Sequence, residues 1–154
     1  MWNIYYALVY SVLFYCNTIW GNAGTSIVKP LFIAQKRVVR TIMSMRRRDH
    51  TNEIFKTQKV LKFEDMNIYC CALFVYKALQ GSMDCSLFQI RANDRYPTRY
   101  INHLEIPLVR SSQTQTSIIY HGVKIWNDLP ASIKENTSVN SFKFNLKKYL
   151  LSKY

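Results

Sequence analysis

The residues best suited to chemistry are basic side chains grouped in the first third of the chain. They are Lys36, Arg37, Arg40, Arg46, Arg47 and Arg48. A guanidinium group binds a phosphate through two parallel hydrogen bonds, and an ammonium group binds it as a point charge. We therefore expect these six residues to contact the phosphates of a polyanion without reading nucleic-acid bases. A solvated cationic helix face is the alternative interpretation.

More arginines lie in the polar stretch 82–115, with tyrosines between them: Arg91, Arg95, Tyr96, Arg99, Tyr100 and Arg110. We expect Arg95 and Arg99 to bind nucleic acid as well, because neighbouring tyrosines can stack on exposed bases. The chain of 154 residues has 21 Lys and Arg against 9 Asp and Glu, a net charge of +12. This balance favours a nucleic-acid partner, whether RNA, DNA or a hybrid duplex.

Groups that could support catalysis are scattered. The only adjacent acids, Glu64 and Asp65, would point about 100° apart on a helix, whereas two-metal chemistry needs converging carboxylates. A zinc site built from Cys85, His103 and His121 would lack a fourth ligand. We expect no active site, no metal and no cofactor. We interpret the four cysteines as reduced, mostly buried thiols of an intracellular protein, nuclear or cytoplasmic.

The basic group needs a helix to position it, and the spacing of residues 27–48 predicts one. Its apolar stripe comprises Val28, Leu31, Phe32, Gln35, Val38, Val39, Ile42, Met43 and Met45, with Gln35 as an interior hydrogen-bonding residue. Its basic residues fall on the opposite side. Thr25 or Ser26 is expected to cap this helix, Pro30 suits its first turn, and residues 49–50 are expected to end it.

Other elements follow from the same patterns. The uncharged residues 1–28 are expected to contain a core helix that ends at 21–24. Helices are also predicted at 51–60, where Thr51 can cap, at 63–80, where Gly81 is the stop, and at 139–150, where Ser138 or Asn140 can cap. Residues 116–126 fit a helix or a strand, and Pro130 ends them. The expected fold is mainly α: a small bundle of about three long helices over 1–81, an irregular basic arm over 82–115 with at most short strands, and a C-terminal helical tail over 116–154.

Short motifs also occur in a characteristic order along nearly the whole chain. They are residues 13–17 with 20–21, 31–40, 50–51 with 54–55, 74–77, 98–99, 117–120 with 122, 126–130 and 141–143. In this order the chain resembles the C-terminal region of reverse transcriptases from non-LTR (LINE-type) retrotransposons, downstream of the catalytic palm. We expect one fragment of such a protein, with 1–81 thumb-like, and not independent domains.

The resemblance implies contact with template-primer nucleic acid, because thumb helices of that family help hold the duplex. It also implies the upstream palm and fingers of the parent RNA-directed DNA polymerase as partners. The palm carboxylates, including a Tyr- or Phe-x-Asp-Asp motif, are absent from these residues. The fragment is therefore expected to be non-catalytic.

Two other functions stay open. The first is a small membrane-associated basic protein anchored by residues 2–20, although Asn and Tyr residues interrupt a segment barely long enough to span a bilayer. The second is a structural scaffold without a ligand, in which the charge serves only solubility.

Overall fold

A computed structural model describes residues 1–82 and 103–154, and it is mainly α-helical, as predicted. No sheet occurs in these two ranges. The α-helices are α1 Trp2–Ile4, α2 Ser11–Phe14, α3 Asn17–Trp20, α4 Thr25–Ile42, α5 Asn52–Thr57, α6 Phe63–Leu79, α7 Ser112–Gln115, α8 Ile118–Asp128, α9 Ala131–Lys134 and α10 Val139–Ser152. A π-helical segment, Tyr5–Tyr10, lies between α1 and α2. Most of the predicted basic arm, including Arg91, Arg95 and Arg99, lies outside the described residues.

The predicted helix 27–48 is shorter than expected, because α4 ends at Ile42. Ser44 adopts a left-handed conformation with φ 51°. The backbone N–H of Met45 donates to the Arg40 carbonyl at 2.9 Å, and that of Ser44 donates to the Thr41 carbonyl at 3.2 Å. These two bonds form a Schellman motif, which satisfies the last carbonyls of the helix and turns the chain. Arg46, Arg47 and Arg48 therefore lie in the loop after α4 and not on it.

The start of α4 also differs from the prediction. Its N-cap is Gly24, and neither Thr25 nor Ser26 holds that position. Pro30 lies inside the helix, five residues after it begins, and not in its first turn. Since proline has no N–H, the carbonyl of Ser26 loses the backbone donor that a continuous helix would give it.

The expected N-terminal core helix is interrupted. After α2, Tyr15 is extended and Cys16 is left-handed with φ 48°, so α3 is a separate short turn. The buried Asn17 side chain donates through Nδ2 to the Leu13 carbonyl at 2.9 Å. In an uninterrupted helix that carbonyl would accept the backbone N–H of Asn17. The side chain thus takes the place of the main chain at the break.

Most of the remaining helices agree with their patterns, but α5 ends at Thr57 and not near residue 60, and Lys59 is left-handed with φ 53°. Thr51 holds the N-cap position of α5 without a side-chain cap hydrogen bond. Gly81, at φ 67°, follows the end of α6, and the N–H of Ser82 donates to the Lys77 carbonyl at 3.1 Å. The ambiguous stretch before Pro130 is helical as α8. Ser138 caps α10 by accepting the N–H of Ser141 on its Oγ at 3.3 Å. Two short helices, α7 and α9, have no counterpart among the predicted elements, and α7 lies in the stretch predicted as an irregular arm.

The described residues form two compact units, and the first comprises Met1–Asn67 with Lys147–Tyr154. Its core contains Tyr5, Val39, Phe55 and Val60, each at most 1% exposed. Gln35 lies fully buried in this unit, as predicted, with three partners. Its Nε2 donates to the Tyr5 hydroxyl and to the Leu61 carbonyl, and its Oε1 accepts the N–H of Phe63, all at 2.9 Å. One side chain thereby links the π segment, α4 and the start of α6.

A second buried polar contact in the first unit involves Asn17 and Asn67. The Nδ2 of Asn67 donates to the Oδ1 of Asn17 at 3.0 Å. Gly21 packs directly against this pair: a Cβ added there would lie 2.5 Å from the Asn17 carbonyl, from its Oδ1 and from the Asn67 Nδ2. Only glycine fits at this position without displacing the amides.

The second unit comprises Ile68–Leu146. Its core includes Tyr76 stacked on Phe142, with ring centroids 4.2 Å apart, and Trp126 beside both rings. The Tyr76 hydroxyl donates to the Asn136 carbonyl at 2.8 Å. Such stacked aromatic groups bury large apolar areas and fix the packing geometry.

The Asn127 side chain contacts the backbone of the stretch after residue 102 in the second unit. The Asn127 Oδ1 accepts the N–H of Leu104, and its Nδ2 donates to the Leu104 carbonyl, both at 2.9 Å. The amide thus pairs with Leu104 as a neighbouring strand would, while the Leu104 side chain is buried at 5% exposure.

Two of the three described cysteines are buried, in agreement with the prediction of mostly buried thiols, and Cys85 lies outside the described residues. Cys70 and Cys71 are buried thiols on α6, and burial raises the pKa of Cys70 to about 12. A thiol with so high a pKa stays protonated and unreactive at neutral pH. Cys16 is exposed, because it occupies the break before α3.

Candidate nucleic-acid interface

The last two turns of α4 place the first basic residues of the predicted group. Gln35 and Val39 face the core, so Arg37 projects into solvent while Lys36 and Arg40 lie half-buried at the two borders. The Nζ of Lys36 lies 4.0 Å from the centroid of the Phe32 ring. This cation–π contact orients the ammonium group beside the helix.

The Schellman turn after Ile42 brings the following loop back alongside α4. As a result, Arg37, Arg40 and Thr41 from the helix and Met45 and Arg47 from the loop line one cleft of about 420 Å³. We call this the arginine cleft. Three guanidinium side chains from two segments of the chain thus line the same volume.

Asp49 organises the loop that completes the arginine cleft. Its carboxylate Oδ2 accepts the backbone N–H of Arg46 at 2.9 Å, and its carbonyl accepts the Nε–H of Arg40 at 3.0 Å. The N–H of Asp49 in turn donates to the Arg46 carbonyl at 3.1 Å. These bonds fix the position of one cleft arginine and close a turn over residues 46–49.

No carboxylate neutralises the basic group within residues 1–82 and 103–154. None of Arg37, Arg40, Arg46, Arg47 and Arg48 has an ion-pair partner in that part of the chain. Guanidinium groups keep their charge at all physiological pH values. Among the described residues, the charge of the cleft and its rim is therefore not offset by ion pairs.

Most of the net charge lies in the first unit. Its sequence ranges hold thirteen Lys and Arg and four Asp and Glu, which gives +9 of the total +12. Anions are therefore attracted most strongly to the unit that contains the arginine cleft.

The structure brings together only part of the predicted site. Arg37, Arg40 and Arg47 line the cleft, whereas Arg46 and Arg48 are exposed on the loop outside it. Lys36 lies on Phe32 and does not line the cleft. Arg95 and Arg99 fall outside the described residues.

Three further residues of this site were not predicted as such. Met45, expected on the apolar stripe, lines the cleft because the helix ends before it; Thr41 also lines it. Asp49, expected only to break the helix, holds the loop. An acidic side chain three residues after a turn N–H can reach back to it, as in a capping box, and this spacing is the signal that could have indicated the role.

Histidines and carboxylates form no comparable group. In the described part of the chain, no three His, Cys, Asp or Glu side chains cluster closely enough to hold a metal ion. His121 is half-buried on α8, and burial together with the charge of Lys124 lowers its pKa. Asp65, at the start of α6, has its pKa raised, chiefly by burial, although it accepts a hydrogen bond from the Tyr154 side chain.

The exposed surface of the N-terminal segment is apolar. Ile4, Leu8, Val12, Tyr15 and Ile19 are each 61% to 78% exposed, and we call them the N-terminal stripe. Among the helices that the structure describes, none is both long enough and apolar enough to cross a membrane.

Comparison with known proteins gives no relative. No protein-family model, no curated protein and no solved structure matches this chain.

Proposed function

We propose that this chain binds nucleic acid through phosphate contacts made by Lys36, Arg37, Arg40, Arg46, Arg47 and Arg48. The observation that carries this proposal is the convergence of three arginines on one cleft without an ion-pair partner in the described part of the chain. Unpaired guanidinium groups gathered on one surface repel each other, and a polyanion relieves that repulsion. The interaction is sequence-independent, since phosphates carry no sequence information.

We further propose that the chain corresponds to a non-catalytic C-terminal part of a non-LTR retrotransposon reverse transcriptase, acting in the nucleus or cytoplasm. The ordered motifs described above support this origin. Within such a protein the basic group would grip the template-primer duplex beside the palm, and the parent polymerase would supply the catalytic carboxylates.

The binding proposal is tested with a charge-matched pair of triple variants. Replacing Arg46, Arg47 and Arg48 together by Gln removes three exposed charges of the basic group. Replacing Lys56, Lys124 and Lys148 by Gln removes three exposed charges elsewhere. Fluorescence anisotropy with a labelled DNA duplex then measures Kd for both variants and the unaltered chain.

The arginine variant is expected to bind much more weakly and to lose about three units of slope in log Kd against log salt, about one per phosphate contact. The lysine variant should change Kd only slightly. Equal effects of the two triples would contradict a localised interface, and no effect of the arginine triple would favour the scaffold function.

A second candidate function is attachment to a lipid surface through the N-terminal stripe. Five large, mostly exposed apolar or aromatic side chains on an uncharged segment favour it. Flotation with liposomes tests it at about 1 M salt, where the Debye length falls to about 3 Å and electrostatic adsorption is suppressed. The lipid function requires flotation under these conditions, and replacing Leu8 and Val12 by Gln should abolish it.

A further inference from the structure

We propose that the arginine cleft binds a terminal phosphate, the monoester group at the end of a nucleic-acid strand. This inference rests on the proposed nucleic-acid binding and specifies which part of the ligand enters the cleft. The phosphate can come from a 5′ or a 3′ end, because both present the same chemical group.

The shape of the site is the first argument. The arginine cleft is an open recess, and its volume of about 420 Å³ falls within the range of pockets for small molecules. Such a cleft accepts one protruding group, and the end of a strand provides one.

The charge of the site is the second argument. Arg37, Arg40 and Arg47 line the cleft, and none of its lining residues in 1–82 and 103–154 is a carboxylate. A phosphate diester within a strand carries a single negative charge, whereas a monoester carries about −1.5 to −2 at neutral pH. Three converging guanidinium groups therefore match the monoester better than the diester.

Preorganisation is the third argument. The Nε–H of Arg40 donates to the Asp49 carbonyl at 3.0 Å, so one of the three cleft guanidinium groups is held in place by the protein. The loop itself is fixed by the bond from the Arg46 N–H to the Asp49 carboxylate. Groups held before the ligand arrives lose less entropy on binding. Met45 adds an apolar wall on which the terminal sugar can rest.

The test compares three internally labelled single strands of one sequence: 5′-phosphorylated, 3′-phosphorylated and without a terminal phosphate. Anisotropy with the full chain is expected to show about tenfold tighter binding of at least one phosphorylated strand, as charge-assisted bonds to a dianion require. As inorganic phosphate is added, the difference in Kd between the phosphorylated and unphosphorylated strands should disappear at concentrations that do not yet displace the strands.

Single substitutions identify the residues that cause the preference for a terminal phosphate. Replacing Arg37 or Arg47 by Gln should reduce it to about twofold or less. Both side chains are exposed, so the fold is expected to be retained. Arg48→Gln is the matched control, because Arg48 is exposed in the same loop but does not line the cleft. Arg48→Gln should raise Kd for all three strands by the same factor and leave the ratios of their Kd values unchanged.

The outcomes separate this inference from the proposed function. Equal Kd values for the three strands, with a steep salt dependence, would overturn the terminal-phosphate site and leave general phosphate binding intact. A preference that survives both Arg37→Gln and Arg47→Gln would also overturn it, since recognition would then lie elsewhere. Failure of all three strands to bind would overturn both proposals.

Discussion

At the scale of single residues, buried polar contacts join specific segments of the first unit through directional hydrogen bonds. Gln35 satisfies all its bonding capacity toward Tyr5, Leu61 and Phe63 except one amide–carbonyl lone pair. Its interior position could be predicted because it lies on the apolar stripe of α4. Its hydrogen-bond partners could not be predicted. They come from separate segments of the chain, and the local sequence pattern does not indicate which segments pack together.

Replacing Gln35 by Ala is expected to lower the free energy of unfolding by about 3 kcal/mol. The change leaves a buried hydroxyl, a carbonyl and an N–H without partners, and such groups cost about 1–3 kcal/mol each before relaxation. The midpoint of urea unfolding measures the loss. Gln80→Ala, at an exposed position, should change stability by less than about 0.5 kcal/mol. Similar small effects at both positions would contradict the role given to Gln35.

Gly21→Ala provides a steric test of the Asn17–Asn67 contact. Gly21 has φ −67°, which alanine adopts freely, so only the 2.5 Å approach to the amides opposes the new methyl group. We expect a loss of about 2 kcal/mol, as for other overpacked sites. Gly24→Ala is the control, since its nearest side-chain atom is 4.0 Å away, and as an N-cap change it should cost no more than about 1 kcal/mol. Thermal or urea unfolding measures the loss of stability in both variants, and a similar loss in the two would contradict the steric role of Gly21.

At the scale of elements, the helices α4, α6 and α10 could be predicted from apolar spacing and capping residues. The end of α4 could not, because Met45 continues the apolar period past the turn. The turn depends on Ser44 in a left-handed conformation, which serine adopts less readily than glycine. The break before α3 was missed for a related reason: it depends on the Asn17 side chain, whose amide meets Asn67 fifty positions away.

Ser44→Gly is expected to stabilise the protein by about 0.5–1 kcal/mol, because glycine takes a positive φ without steric cost. The same substitution inside α4, Ser26→Gly, should destabilise it by about 0.5 kcal/mol through the lower helix propensity of glycine. Urea midpoints of the two variants should therefore move in opposite directions. Movement in the same direction would argue against the Schellman turn at Met43–Met45.

At the scale of the whole molecule, the mainly helical fold follows from the composition, with only four Gly and four Pro and long apolar periods. The basic character of the chain was equally evident. The arginine cleft was not, since two of its five lining residues lie on a loop that the pattern assigned to the helix. The structure thus changes the expected surface from a straight basic helix face into an open recess with a basic rim.

The charge distribution makes the central claim measurable on the unaltered chain. With +9 of the +12 in the unit that contains the cleft, binding should depend on salt through the phosphates neutralised there. The decisive measurement is the slope of log Kd against log salt for a DNA duplex. Six phosphate contacts predict an association constant that falls with a slope of about −5. A slope near zero, or no binding at low salt, would contradict the account.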